Sequence, residues 1–560
     1  MLIILLIGLV LLILPAAYEL RMQSGIFQLD YYLWWIIGVV AGIFFFWTGY
    51  SISRIFLVTV SPFFLFLTIS TFYWREDSNS VSFFISCLTG LGIFLFLLQI
   101  QLKIQFLIWA VVFSVLVQLT VAVKQLVLSG NTITGQFFNS GHWGNFLSIQ
   151  FPILILLLQR HWMQQLLRML LMVLLFATAG FLFLSMARAA IVGVATAIVF
   201  LFARKVIFGI RWWMIIAGIV LSGYAIWLVL FTKSASLLGR ITVYQVGVEI
   251  WKENWLFGIG PNRFAAVYNH YQADFLQRTK LPIERELLAT NMLEAFNWQL
   301  QILVEYGTIG AALLILMMVN WWRMISKREP VIIASFIVVL TAGLFSNPFH
   351  ITPVSFLLIV LLAAASCPAV VIKRSTIGIG KLFVTLQVLL LIPYIGTQIL
   401  SEYYWKRASV QALYDGFSMA QPSYKKAARW LSGRGSFLFN YGAEACIAGD
   451  TELAITQLEA AAQRLASNQL YVYLGDAYLK SGKMREAEQS YLLAIAMVPA
   501  TIYPKYRLIH FYLQQANYSE ACKWTKKVVE YPVKIPTPEA FQLVREIRQL
   551  TAPYMHYCSG

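Results

Sequence analysis

Charge is scarce in this chain: Asp, Glu, Lys and Arg together make up 12% of 560 residues. Such a sequence is not a soluble globular domain, because a water-facing surface needs about twice that share. No basic run is long enough to track a nucleic-acid backbone, which excludes that partner class. Cysteine is also sparse, with five residues and no CxxC or other metal-type spacing. Cys87 and Cys367 sit in apolar runs and read as packing residues, whereas a Cys446–Cys522 bridge is open if the tail lies in an oxidising compartment. No residue pattern calls for a metal or an organic cofactor.

What the chain has instead is apolar length. Hydrophobic residues make up 59%, and the mean hydropathy is +0.71. Apolar runs fall near 2–17, 31–49, 55–73, 81–101, 104–123, 143–159, 166–184, 189–203, 212–231, 298–320, 331–345, 351–372 and 382–400. By the twenty-residue rule these predict an all-α, polytopic membrane bundle of about 12–13 spans. The first run ends in Pro15–Ala16–Ala17, so a cleaved signal peptide is an alternative reading. Net charge is +17, which suits anionic lipid or phosphate-bearing substrates.

Sidedness follows from the loops. One alternate set holds thirteen Lys and Arg residues, among them Arg54, Lys103, Arg204, Arg323 and Arg374; the other holds Arg21, Arg75, Lys124 and Arg188. The positive-inside rule makes the first set cytoplasmic. The polar loop at about 232–297 and the tail after residue 400 then face outward, into the periplasm if the membrane is a bacterial inner membrane.

Two domains are expected: a membrane domain over 1–400 and a helical tail over 401–560. In the tail, Tyr471, Leu474, Gly475, Tyr478, Ala487, Tyr491, Ala494 and Pro499 fit the tetratricopeptide pattern, with weaker units on either side. Such an α-solenoid is an interaction surface by default.

Polar residues gather at the outward face. Asn139, His142 and Asn145 precede the sixth span; the bland reading is a polar entry turn, the sharper one a site contribution. Arg188 sits in a tight turn without an acidic neighbour, where it either snorkels to lipid or aims its fork at a pyrophosphate. In the loop, Arg240 and Arg263 are candidates for a cationic clamp, and His270 is a candidate base. Gly258–Ile259–Gly260 is a weak phosphate-cradle signal. Asn297, Gln301 and Glu305 share one helix face, and an intramembrane carboxylate must face protein, water or ligand. Ser346–Asn347–Pro348–Phe349–His350 adds another polar turn.

Together, Phe138–Asn139, Ser185 with Arg188, Arg240, the run from Trp251 to Gly260 with Phe264, and Asn297–Gln301 with Glu305 and Gly307 resemble the O-antigen ligase superfamily. That superfamily includes O-antigen ligases, O-oligosaccharyltransferases and O-antigen polymerases. The resemblance covers roughly residues 130–320. It implies a metal-independent glycosyltransferase that uses a glycan on undecaprenyl pyrophosphate and a hydroxyl acceptor, either a lipid A core sugar or a protein Ser/Thr. Arg188 and Arg240 match arginines that hold the pyrophosphate; Asn139 and Gln301 are further substrate-contact candidates, and Arg263 is added to them from the loop's own charge pattern, not from the resemblance. Many members carry a histidine, the acceptor-activating base, just before the position of Asn297, where this chain has Phe296. That leaves Glu305, Asn297, His270 and His142 as the catalytic candidates. The rival class is a transporter or an envelope-assembly scaffold using the tail. A transporter predicts ionisable residues near the midplane of several spans and a repeat between the halves, and neither pattern is present.

Overall fold

The computed structural model describes residues 2–47, 50–52, 54–100, 104–128, 133–158, 164–204, 234–279, 281–324, 330–366, 371–373 and 378–559. Among these, seven helices are long and apolar enough to cross a membrane: Leu6–Ser24, Phe56–Tyr73, Ser78–Ile100, Leu107–Leu128, Ser140–Leu158, Gln165–Leu184 and Trp298–Arg323. Four shorter apolar helices cover Leu29–Phe45, Arg188–Ala203, Pro330–Ala342 and Thr352–Ala365. The expected run at 212–231 lies outside the described residues. The last expected run forms the first half of a longer helix, Gly378–Tyr414.

The helices of the bundle are α1 (Leu2–Ser24), α2 (Leu29–Trp47), α3 (Arg54–Tyr73), α4 (Ser78–Ile100), α5 (Ile104–Leu128), α6 (Ser140–Leu158), α7 (Gln165–Leu184) and α8 (Arg188–Ala203). The polar loop holds α9 (Ser234–Glu253), α10 (Phe264–Arg278) and α11 (Ile283–Glu286). The bundle resumes with α12 (Trp298–Met324), α13 (Pro330–Ala342) and α14 (Thr352–Ala365), and α15 (Gly378–Tyr414) leads into the tail. In lipid, which is as apolar as the helix surfaces, no hydrophobic drive brings helices together, so they associate through close packing and small residues mark the crossings. A Cβ on Gly92 of α4 would stand 2.9 Å from the Gly38 carbonyl oxygen of α2, and one on Gly193 of α8 would stand 2.7 Å from the Val338 carbonyl oxygen of α13.

The all-α expectation holds apart from two three-residue strands. β1 (Tyr50–Ile52) pairs antiparallel with β2 (Val371–Lys373), joining two inter-helix loops at the end of the bundle opposite the polar loop.

Helix α12 is interrupted inside its span. Gly307 has φ 64° and ψ −171°, a conformation reserved for glycine. The backbone bonds lost there are supplied by the loop after α9: Ile259 N donates to Val304 O (3.0 Å), Gly260 N to Glu305 O (3.0 Å), and Thr308 N to Trp255 O (2.7 Å). A Cβ on Gly258 would collide with the Glu305 carbonyl, and one on Gly260 with the Trp74 ring. These glycines therefore serve a backbone-on-backbone joint, not the phosphate cradle that their spacing suggested.

The tail continues as paired helices: α16 (Phe417–Leu431), α17 (Gly435–Ala448), α18 (Thr451–Ala462), α19 (Asn468–Lys480), α20 (Met484–Met497), α21 (Ile502–Gln514), α22 (Tyr518–Glu530) and α23 (Pro538–Thr551). Small residues admit large ones from the next helix: a Cβ on Gly442 would meet Leu458 at 2.7 Å, and one on Gly475 would meet Tyr491 at 2.7 Å. Cys446 is free and buried while Cys522 is disulfide-bonded, so the Cys446–Cys522 pairing does not form. The tail is fastened to the bundle by a buried cluster. Arg434 pairs with Glu402 at 2.6 Å and donates to Ile26 O at 2.8 Å, and Tyr32 donates to Glu402 at 2.7 Å.

Candidate functional site

The polar residues of the bundle collect at one end, where α1, α3, α5 and α7 finish and α2, α4, α6, α8 and α12 begin. Apolar spans force this arrangement, since a charged group costs least where a helix meets the interface. Arg21, at the end of α1, pairs with buried Asp30 at 3.3 Å, and Asp30 also accepts from Thr352 at 2.6 Å. Tyr18, one turn earlier, lies 3.0 Å through its hydroxyl from Nδ1 of His142 in α6. Asn145 donates to Ser346 at 3.1 Å.

Arg240 reaches this end from α9. It donates to the Phe345 carbonyl at 2.7 Å, and its guanidinium lies 5.5 Å from the Phe296 ring centroid. Arg188, at the start of α8, comes close enough for the two positive charges to repel. The carboxylate beside Arg240 is Glu294, half-buried in the stretch before α12. It is bonded by Asn347 and lies within Coulombic reach of Arg240 and of the Tyr18 hydroxyl. Burial pushes the Glu294 carboxyl up to about 7, although Asn347 and Arg240 both pull it down. Burial, with the Arg21 charge, pushes the His350 imidazole down to about 4, so it is neutral near pH 7.

The helix face read from the sequence is real, but its partners are the protein's own. Asn297 accepts from Leu300 N at 2.9 Å and so caps α12. Gln301 donates to Glu305 at 2.9 Å, while its own carbonyl oxygen accepts from Asn347 (2.9 Å) and from Ala295 N (3.2 Å). The other Glu305 oxygen accepts from Asn262 N at 2.9 Å. Both carboxylate oxygens are thus taken up in holding the loop against α12.

Three further candidates have other surroundings. Arg263 pairs with Asp77 at 3.2 Å, stacks 3.3 Å from the Trp74 ring centroid and donates to Gln463 O in the tail at 3.3 Å. His270 lies 3.3 Å from the Tyr471 hydroxyl of α19. Asn139 is exposed and accepts from Gly141 N at 2.7 Å, capping α6. Arg188, Arg240, His142 and Gln301 belong to one neighbourhood; Arg263 and His270 belong to the seam between loop and tail.

Sequence reasoning missed Glu294, Arg21 and Asp30. The signal for Glu294 was present, a carboxylate inside Met292–Leu293–Glu294–Ala295–Phe296 beside a membrane entry. It is the same signal that drew attention to Glu305. Among the described residues, no group of three or more His, Cys, Asp or Glu side chains is placed to hold a metal ion.

Residues 170–315 match the O-Antigen ligase family model. The ligase-like segment takes in Arg188, Arg240, Glu294, Asn297 and Glu305, and ends before the tail begins. A search of the curated proteins gave no match. The segment, carried on helices long enough to cross a bilayer, supports a membrane enzyme of the ligase or polymerase type.

Proposed function

We propose that this chain is a glycosyltransferase of the O-antigen ligase type, moving a glycan from undecaprenyl pyrophosphate to a hydroxyl acceptor. The observation that carries the reading is the approach of Arg188 at the start of α8 and Arg240 in α9, near enough to repel, within the ligase-like segment. Two guanidiniums held close repel each other, and a bound diphosphate relieves that repulsion with forked hydrogen bonds. In the transfer, the acceptor oxygen attacks the anomeric carbon and the sugar–phosphate bond breaks. The diphosphate leaves with the bonding electron pair, and its growing charge is what the two arginines stabilise. The acceptor is a hydroxyl of a lipid A core sugar, of a protein Ser/Thr or of a growing polysaccharide.

The membrane domain over 1–400 carries this chemistry, and the paired helices of 401–560 form a tetratricopeptide-type solenoid. The site end of the bundle faces the periplasm and the membrane is the bacterial inner membrane. Support comes from the loop charge count and from the disulfide at Cys522, which suits an oxidising compartment.

The test is transfer by purified protein from lipid-linked oligosaccharide to a panel of acceptors, read by mass shift. Arg188→Ala should lower the rate about 100-fold or more while the chain stays folded and inserted. Unchanged transfer would remove the donor-site assignment.

A further inference from the structure

The transfer step needs a group that takes the acceptor proton, and the geometry points to Glu294 as that catalytic base. This inference rests on the glycosyl-transfer reading above and adds to it the residue that activates the acceptor. The other titratable groups are committed elsewhere. Both oxygens of Glu305 hold Gln301 and Asn262 N, and the side chain is 2% exposed. His142 is bonded to a buried tyrosine, and His270 sits on the tail. Glu294 is half-buried beside Arg240, and none of these commitments holds it.

Its position is fixed from several sides. Phe296 adopts φ 50°, a left-handed turn, and its carbonyl accepts from Tyr244 of α9 at 3.2 Å. Glu294 sits in the bend just before that turn, and both its carboxylate and the Phe296 ring meet Arg240. Asn347 bonds the carboxylate while also donating to Gln301, which orients it without consuming it. The carbonyl oxygen of Asn347 is buried and has no protein partner among the described residues, so the amide keeps an acceptor for a sugar hydroxyl or a water.

The step balances without a co-reactant. The acceptor O–H proton passes to a Glu294 oxygen as the new C–O bond forms. The polyprenyl diphosphate departs with the electron pair, and Glu294 returns the proton to water. Only the ionised carboxylate accepts a proton, so the rate falls as pH drops below about 7, the value to which burial raises Glu294. The groups facing it are Arg240 of α9 and Tyr18 of α1. One contact further out lie Arg188, the Arg21–Asp30 pair, His142 and His350. His350 titrates near 4 and does not contribute to that limb.

The test compares wild type with Glu294→Gln and Glu294→Asp, using polyprenyl-diphosphate oligosaccharides extracted from the source cells and the acceptor found by mass shift. Glutamine keeps the bond to Asn347 but takes no proton. Glu294→Gln should lower kcat by about 10²- to 10⁴-fold, leave the donor KM within about threefold, and abolish the acid limb. Glu294→Asp should retain partial kcat and a displaced limb, which keeps the inference testable if the glutamine variant folds poorly. An unchanged kcat, or a loss confined to donor KM, overturns the base assignment while leaving the transfer reading intact. A wild type that moves no glycan overturns the transfer reading itself, and this inference falls with it.

Discussion

Asn297 shows how one side chain carries two readings that only its partners separate. Spacing put it on a face with Gln301 and Glu305, and that face exists, since Gln301 does bond Glu305. What spacing could not supply is the donor from Asn262, which lies forty-three positions earlier and arrives only when the loop folds back. Asn297 itself accepts from Leu300 N and caps α12. Serine caps nearly as well as asparagine, while alanine loses about 1 kcal/mol. Asn297→Ser should therefore keep transfer within about twofold of wild type. Asn297→Ala should lower the melting midpoint in detergent more than it lowers the rate per folded molecule. A folded but inactive serine variant would give the carboxamide a direct part in the chemistry. Glu294 escaped the sequence reading for the converse reason. One carboxylate among several in a loop gains meaning only from Arg240 and Asn347, which come from other elements.

At the scale of elements, apolar run length marked most of the bundle's helices, because lipid permits few backbone solutions. It could not mark the interruption of α12. The run 298–320 is apolar throughout, and Gly307 reads as one more small residue in a membrane helix. The break exists because the 255–260 segment supplies the missing backbone partners, a pairing invisible to any local pattern. Gly307→Ala forces a side chain into a glycine-only conformation, costing about 1–3 kcal/mol, and sets its Cβ 2.5 Å from the Leu256 carbonyl. We expect a lowered melting midpoint and loss of monodisperse protein in detergent. Gly396→Ala in α15, where a Cβ would meet nothing within 4 Å, should be neutral. Equal behaviour of the two variants would contradict the account of the joint.

At the scale of the whole molecule, bundle, loop and tail share contacts that tie the site end together. Asn269 of α10 donates to Ala466 O at 2.6 Å, and Gln272 donates to Met497 O at 2.7 Å. Asn291 donates to Asn468 at 2.7 Å, and Ala273 is buried with Ala466, Met497 and Val498. The helical character of the tail was legible from its sequence. Its docking on α10 was not, because those pairs are about two hundred residues apart and neither side has a distinctive pattern. The docking means that loop and tail lie on the same side of the bundle, and the account requires that side to be the one where a lipid-linked glycan waits. Leu293, 65% exposed beside Glu294, offers the most direct probe. Leu293→Cys should react with a membrane-impermeant maleimide in cells whose inner membrane is intact, above the level of the parent chain. Labelling that appears only after the inner membrane is opened would place the arginines and Glu294 in the cytosol, and the account would be wrong.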